Sequence, residues 1–151
     1  MDRIKVLHVI TRLIVGGAQE NTMFTAALLD PDRYQVDVLS GPQTGAEGSL
    51  IEEVRERDIP LDILPELVRE ISPIKDLPAL WKMWRIMRRN EYQVIHTHSS
   101  KAGILGRLAA RLAGVPVIVH TVHGWGFHDH MSPGLRWFYV TLEKICIRWT
   151  D

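Results

Sequence analysis

Apolar positions along this chain of 151 residues follow two periods. Short runs of Val, Ile and Leu read as strands buried on both faces. Between them, stretches with apolar residues three and four apart read as helices. Ile4–Ile10 (IKVLHVI) is the first run, and its place in the pattern makes it the central strand. A turn over 11–17 leads to a helix from Ala18 to Leu29, closed by Asp30-Pro31. Tyr34–Leu39 forms the second strand, and 41–48 (GPQTGAEG) a flexible loop of the kind that closes over sites. A helix from Ser49 to Asp58 and a short strand Leu61–Leu64 follow. Residues 65–78 predict irregular chain with a turn at Ser72-Pro73. Asp76 is expected to cap the next helix, which has Pro78 in its first turn and ends near Asn90.

The stretch Val94–Gly124 reads as strand, helix, strand with a polar cluster at each strand end. Its helix, Ala102–Ala113, sets Ile104, Leu105, Leu108 and Leu112 on one face and stops at Gly114 and Pro116. Val117–Val119 is the last strand. The final helix runs from Pro133 to Trp149, with Leu135, Phe138, Leu142, Ile145 and Trp149 expected on the sheet. Five strands alternating with helices predict an α/β fold. The sheet should be doubly wound, mostly parallel and Rossmann-like, with helices on both faces and one domain over 1–151.

In such sheets ligands bind at the carboxyl edge of the strands. A parallel strand–helix–strand unit brings His96-Thr97-His98-Ser99-Ser100-Lys101 and His120-Thr121-Val122-His123-Gly124 to that edge together. His8, inside the first strand, is expected to be a hydrogen-bonded core histidine. Gly16-Gly17 lies between the first strand and first helix, where bare backbone and free N–H groups suit a phosphate; a tight turn without a ligand reads equally well. The chain has no G-x-G-x-x-G and no G-x-x-x-x-G-K-[ST], and its second strand ends in Ser40-Gly41 instead of an acid. Both a nicotinamide-dinucleotide domain and a P-loop nucleotidase are therefore disfavoured.

Composition changes this picture little. With 46% hydrophobic and 24% charged residues the chain is an ordinary globular one, and its zero net charge gives no bulk attraction to nucleic acid. The charge is uneven, however. Residues 1–68 carry 6 basic and 12 acidic side chains, and residues 69–111 carry 9 and 3. The basic segment includes the helix with Trp81 and Trp84, where Leu77, Leu80, Met83 and Met87 share a side and Lys82, Arg85 and Arg89 lie opposite. That is the pattern of a helix lying on an anionic membrane, and equally of a crossover helix packed on the sheet. Cys146, the single cysteine, is expected to be a small buried apolar residue. Met1-Asp2-Arg3 runs straight into a strand pattern and no apolar run is long enough to span a bilayer. The expectation is a cytoplasmic protein, with peripheral membrane contact open.

Taken together, Gly16-Gly17-Ala18-Gln19, the segment His96 to Gly103 and the segment His120 to Gly124 resemble the N-terminal domain of family-4 glycosyltransferases, of the group that builds capsule, exopolysaccharide and lipid-linked glycans. The resemblance implies half of a GT-B fold, with a C-terminal donor domain that this chain lacks. It implies a nucleotide-sugar donor, a glycan or polyprenyl-diphosphate-linked acceptor, retention of the anomer, and no metal or other cofactor. Residue by residue, it implies that Gly16 and Gly17 lie against the donor's diphosphate and that His123 reaches the transferred sugar. Thr97, His98, Ser99 and Lys101 fall in the segment lining the acceptor side, where a cationic Lys101 suits a phosphate-bearing acceptor. This domain alone is expected to be inactive.

Two other readings stand beside it. His96 with His98, and His128 with His130, have a chelating spacing that would suit a histidine-centred zinc hydrolase, although the sequence offers no convincing acidic third ligand. A non-catalytic binding module for carbohydrate or lipid phosphate would keep the fold and the acceptor pocket without the chemistry.

Overall fold

The computed structural model describes residues 2–43, 45–126 and 130–151. Five parallel strands form one sheet: β1 (Ile4–Ile10), β2 (Tyr34–Ser40), β3 (Leu61–Ile63), β4 (Val94–His98) and β5 (Val117–Thr121). Their order is β3-β2-β1-β4-β5, with β1 central as its apolar run predicts. The helices are α1 (Gly17–Leu28), α2 (Ile51–Glu56), α3 (Pro73–Asn90), α4 (Ser100–Ala113) and α5 (Pro133–Cys146), and a single 3₁₀ turn Ile147–Trp149 follows α5. The direction of winding reverses between β1 and β4, which makes their carboxyl ends the switch point of the sheet.

Alternation along β1 divides the core in two. Leu7 and Val9 join Ile95, Ala79, Met83, Met87 and Ala109 on the face covered by α3 and α4. Ile10 joins Val38, Met23, Ala26 and Val54 on the face covered by α1 and α2. His8 shares the parity of Ile10, and the register pairs it with His96. His8, His96 and His98 therefore occupy the α1 side of the sheet.

Three helices depart from their expected faces. In α4 the buried residues are the small ones, Ala102, Gly103, Gly106, Ala109, Ala110 and Ala113, together with Arg107. Ile104, Leu105 and Leu108 are half-buried and Leu112 is exposed. Close approach explains the reversal: a Cβ on Gly103 would lie 2.5 Å from His120 Cε1, and one on Gly106 2.7 Å from Thr97 Cγ2. In α5 Leu135, Phe138 and Ile145 are exposed instead of packed on the sheet. The helix leans on α4 through Glu143, which takes a hydrogen bond of 2.7 Å from the fully buried Arg107. Cys146 is buried, as expected.

In α3, Pro73 takes the first helical position and Ser72 the cap. Asp76 sits within the first turn, where its Oδ2 accepts the Ser72 N–H at 3.0 Å, and Pro78 lies inside the helix. A proline fits the first position because its missing N–H would be unpaired there anyway, so the earlier proline starts the helix. The inward stripe of α3 is Ala79, Met83 and Met87, which leaves Leu77 and Trp81 outside.

Where three segments converge at the sheet edge, Gly41 leaves no room for a side chain. A Cβ there would fall 1.8 Å from Leu67 O and 2.5 Å from Thr11 O. Gly41→Ala should therefore cost about 1–3 kcal/mol by forcing backbone apart. Gly17→Ala has nothing within 4 Å of its new methyl and should stay within about 0.5 kcal/mol of the parent. Urea unfolding of both variants followed by circular dichroism checks the contrast.

Candidate functional site

The site is assembled at the ends of β1, β4 and β5. Thr11, just past β1, and Ser99, just past β4, share a hydrogen bond between hydroxyls at 2.7 Å. The Thr11 N–H also donates to Ser99 Oγ at 3.3 Å, and Thr11 Oγ1 accepts the Ala102 N–H at 3.1 Å. Thr11 thus caps α4 from across the sheet, taking up one of the donors that a helix start leaves unpaired. Ser99 holds a left-handed φ of 63°, uncommon outside glycine, and these bonds keep it there.

Behind this edge lies a file of imidazoles. His8 Nδ1 is 3.0 Å from His98 Nε2, and His98 Nδ1 is 3.0 Å from His123 Nε2. Both pairs are stacked, with ring centroids 5.3 Å apart. His96 stands beside the file, its Nε2 hydrogen-bonded to Thr121 Oγ1 at 2.7 Å. Burial is the main reason these rings resist protonation, and neighbouring imidazoles add to it. His8 is lowered to about 3, His96 to about 4 and His98 to about 2. Partial burial also lowers His123, which is exposed at the edge. On the opposite face His120 is lowered by burial and then by Arg107, and it contacts Thr97. His8, His96 and His98 are neutral at pH 7, burial biases His120 and His123 toward the same form, and the rings act through hydrogen bonds.

A cavity of about 660 Å³ opens on the α4 side of the edge. Thr11, Ser99, Ser100 and Lys101 give it a polar floor, with Gln19 reaching in from α1. Ile71, Ile104, Leu105, Trp125, Phe138 and Leu142 give it an apolar wall. Lys101 is not a loose cation: it pairs with Asp76 at 2.5 Å and donates to the Glu70 carbonyl.

The residues singled out from sequence therefore take different places. Ser99 and Lys101 line the cavity. Thr97 and His98 are fully buried, Thr97 bonded to Val119 O at 3.2 Å and His98 joined to His123. Gly16 caps α1, and its carbonyl accepts the N–H groups of Gln19 and Glu20. Gly17 is exposed with open space before it. His8 and Thr11 joined the site without having been singled out for it. A polar residue in the middle of the most apolar strand was the signal for His8.

Nitrogens of His8, His96 and His98 lie within 4.8 Å of one another, a possible ligand set for a metal ion. Both ring nitrogens of His98 are instead committed to other imidazoles, and His96 Nε2 is committed to Thr121. The donor set thus suits a hydrogen-bonded file better than a cation. His128, half of the other chelating pair read from sequence, lies outside the described residues.

Residues 16–151 match the family model described as a glycosyl transferase 4-like domain. The chain is 34% identical over 152 residues to the Escherichia coli UDP-Gal:alpha-D-GlcNAc-diphosphoundecaprenol alpha-1,3-galactosyltransferase, an alignment covering 99% of this chain and 37% of that enzyme. The chain thus spans little more than a third of that relative's length. Among solved structures it resembles MurG of Acinetobacter baumannii with a TM-score of 0.65 and 21% identity, over 98% of this chain and 40% of that one. It also resembles UDP-GlcNAc 2-epimerase of Neisseria meningitidis, with a TM-score of 0.61 and 15% identity over 95% of this chain and 38% of that one. These likenesses, at 21% and 15% identity, show the fold alone; the family match and the 34% identical relative point to the transferases.

The buried neutral histidines tie stability to pH. Unfolded histidine titrates near 6.5, far above His8 and His98 in the fold. Below that value the unfolded chain binds more protons, so their contribution is complete above about pH 7 and falls as pH drops. Each such histidine should remove about 1.4 kcal/mol per pH unit once well below 6.5. Between pH 7.5 and pH 5 urea unfolding should lose about 4 kcal/mol from His8 and His98 together, and His98→Asn should shrink that difference. Equal stability at both pH values would contradict the neutral assignment.

Proposed function

Because the chain belongs to the glycosyl transferase 4-like family, we propose that it is the acceptor-side half of a glycosyltransferase that moves a hexose from a nucleotide-sugar onto a lipid-linked glycan. The observation that carries this reading is the divided cavity at the sheet edge. Its polar floor of Ser99, Ser100 and Lys101 suits a sugar and a diphosphate, and its apolar wall suits the first units of a lipid chain. The Escherichia coli relative is named for an acceptor of that composition, a sugar on diphosphoundecaprenol.

In this reading the free N–H groups at the start of α1 meet the donor's diphosphate, and Gly17 leaves space for the approach. Charge that develops on the departing nucleoside diphosphate is stabilised by backbone donors already in place. The reaction retains the anomeric configuration and needs no resident metal. His123 contacts the sugar being transferred. A second domain across the cleft holds the nucleotide, so this half alone does not turn over. In a full-length enzyme carrying this domain, His123→Ala should lower turnover at least roughly a hundredfold while the fold survives. Parent-like turnover would remove His123 from the mechanism.

A lipid-linked acceptor also requires the enzyme to reach the membrane. No helix among the described residues is long and apolar enough to cross one. The outside of α3 offers a different route. Ile71, Ile74, Leu77 and Trp81 are each more than half exposed, and the row begins with Ile71 in the cavity wall. Arg85 lies 4.6 Å over the Trp81 ring, and Lys75 and Arg89 are exposed on the same helix, whereas Lys82 is held by Glu66 and Arg88 donates to the Ala113 carbonyl. Cations beside interfacial aromatics hold a domain reversibly on an anionic leaflet. Flotation with anionic vesicles should show binding at low salt that fades as salt rises. It should weaken when Lys75, Arg85 and Arg89 become Gln. Absent or salt-insensitive binding would favour a soluble acceptor.

A further inference from the structure

The file from His8 to His123 has a direction, and the direction decides what His123 offers a substrate. A neutral imidazole has one donor nitrogen and one acceptor nitrogen. His98 spends both, on His8 at 3.0 Å and on His123 at 3.0 Å, so placing one proton places all three. Burial keeps the His8 and His98 rings neutral at pH 7, so neither the buried end nor the middle of the file carries an extra proton.

Two arrangements satisfy the contacts. In the first, His123 donates from Nε2 to His98 Nδ1, and His98 donates from Nε2 to His8 Nδ1. The His8 proton then sits on its own Nε2, a buried atom with no hydrogen-bonding partner. In the second, His8 donates from Nδ1 to His98, and His98 donates from Nδ1 to Nε2 of His123. The orphaned atom at the buried end is then a bare lone pair. Buried N–H groups without an acceptor are rare in folded proteins, and under-used acceptors less so. The second arrangement is favoured.

We infer that His8 and His98 are positioning residues that fix His123 with its proton on Nδ1, making its substrate-side nitrogen a hydrogen-bond donor and excluding it as a neutral base. This rests on the reading of His123 as the group that meets the transferred sugar. A donor there grips a sugar oxygen and leaves its proton unmoved, whereas the reverse tautomer would offer a lone pair to a hydroxyl proton. His8 acts from inside the core, through His98, without touching substrate.

The test is a multiple-bond ¹H–¹⁵N correlation spectrum of the histidine-labelled chain at pH 7, which distinguishes the protonated nitrogen of each ring. The expected result is protonated Nδ1 and bare Nε2 in His8, His98 and His123. His8→Asn keeps a donor near the place of Nδ1 and should preserve the His123 pattern. His8→Leu removes it and should leave His123 as a mixture of tautomers. Protonated Nε2 on His123 in the parent would overturn the inference, and so would a His123 pattern indifferent to His8→Leu. Shifts of metal-bound imidazole nitrogens that a chelator abolishes would overturn it too, in favour of a metal site. The parent spectrum decides even if a variant fails to fold. Because it reads no activity, it is separate from the functional reading: the tautomer found with His123→Ala fully active would sink the role in transfer and leave the file intact.

Discussion

The hydroxyl pair between Thr11 and Ser99 joins the two strand ends on either side of the sheet's reversal, and most of the site follows from it. β1 and β4 touch along their length through the ladder, but beyond the last ladder bond their chains must diverge toward opposite faces. Thr11 delays that divergence by capping α4 with the same oxygen that meets Ser99. Ser99 in turn accepts an unfavourable φ, which swings the chain from the strand directly into the helix. The strand end is therefore short and rigid. His98, one residue earlier, is pinned between His8 and the end of β5, and Lys101, two residues later, is delivered to the cavity floor.

The two faces of β4 do different work. Thr97 and His120 on one face fill the space under Gly103 and Gly106, so that α4 lies close to the sheet. His96 and His98 on the other face form a polar layer that burial keeps uncharged. Polar groups are costly in such a place unless they are hydrogen-bonded, and these rings are, His98 to His8 and His123 and His96 to Thr121. The layer gives the sheet edge direction and specificity where an all-apolar layer would give only cohesion.

Much of this was legible in the sequence. The β-branched runs marked the five strands, and the strand–helix–strand rule put His98 and His123 at one edge. The parts that were not legible share a cause, which is that they depend on distances between elements. Hydropathy assigns α4 its inward face by Ile104, Leu105, Leu108 and Leu112, but a helix this close to the sheet buries Gly and Ala and turns the large residues aside. The start of α3 hung on which of Pro73 and Pro78 takes the first position, and nothing local distinguishes them. His8 entered the site because the register sets it opposite His96, and register is a property of two strands, invisible along one. Lys101 kept its place at the cavity, but its partner Asp76 comes from a helix 25 residues earlier in the chain.

The link between Arg107 and Glu143 has one more implication. The cavity's polar floor belongs to the sheet edge, whereas Phe138 and Leu142 of its apolar wall belong to α5, a mostly exposed helix fastened to α4 by that buried ion pair. Breaking one partner of such a pair is costly, but the residues around it on α5 are under little packing constraint. The wall is thus modular. Substitutions along α5 reshape the cleft without disturbing the hydrogen-bonded strand ends, so descendants of this fold have a route to new cargo that leaves the reactive geometry untouched.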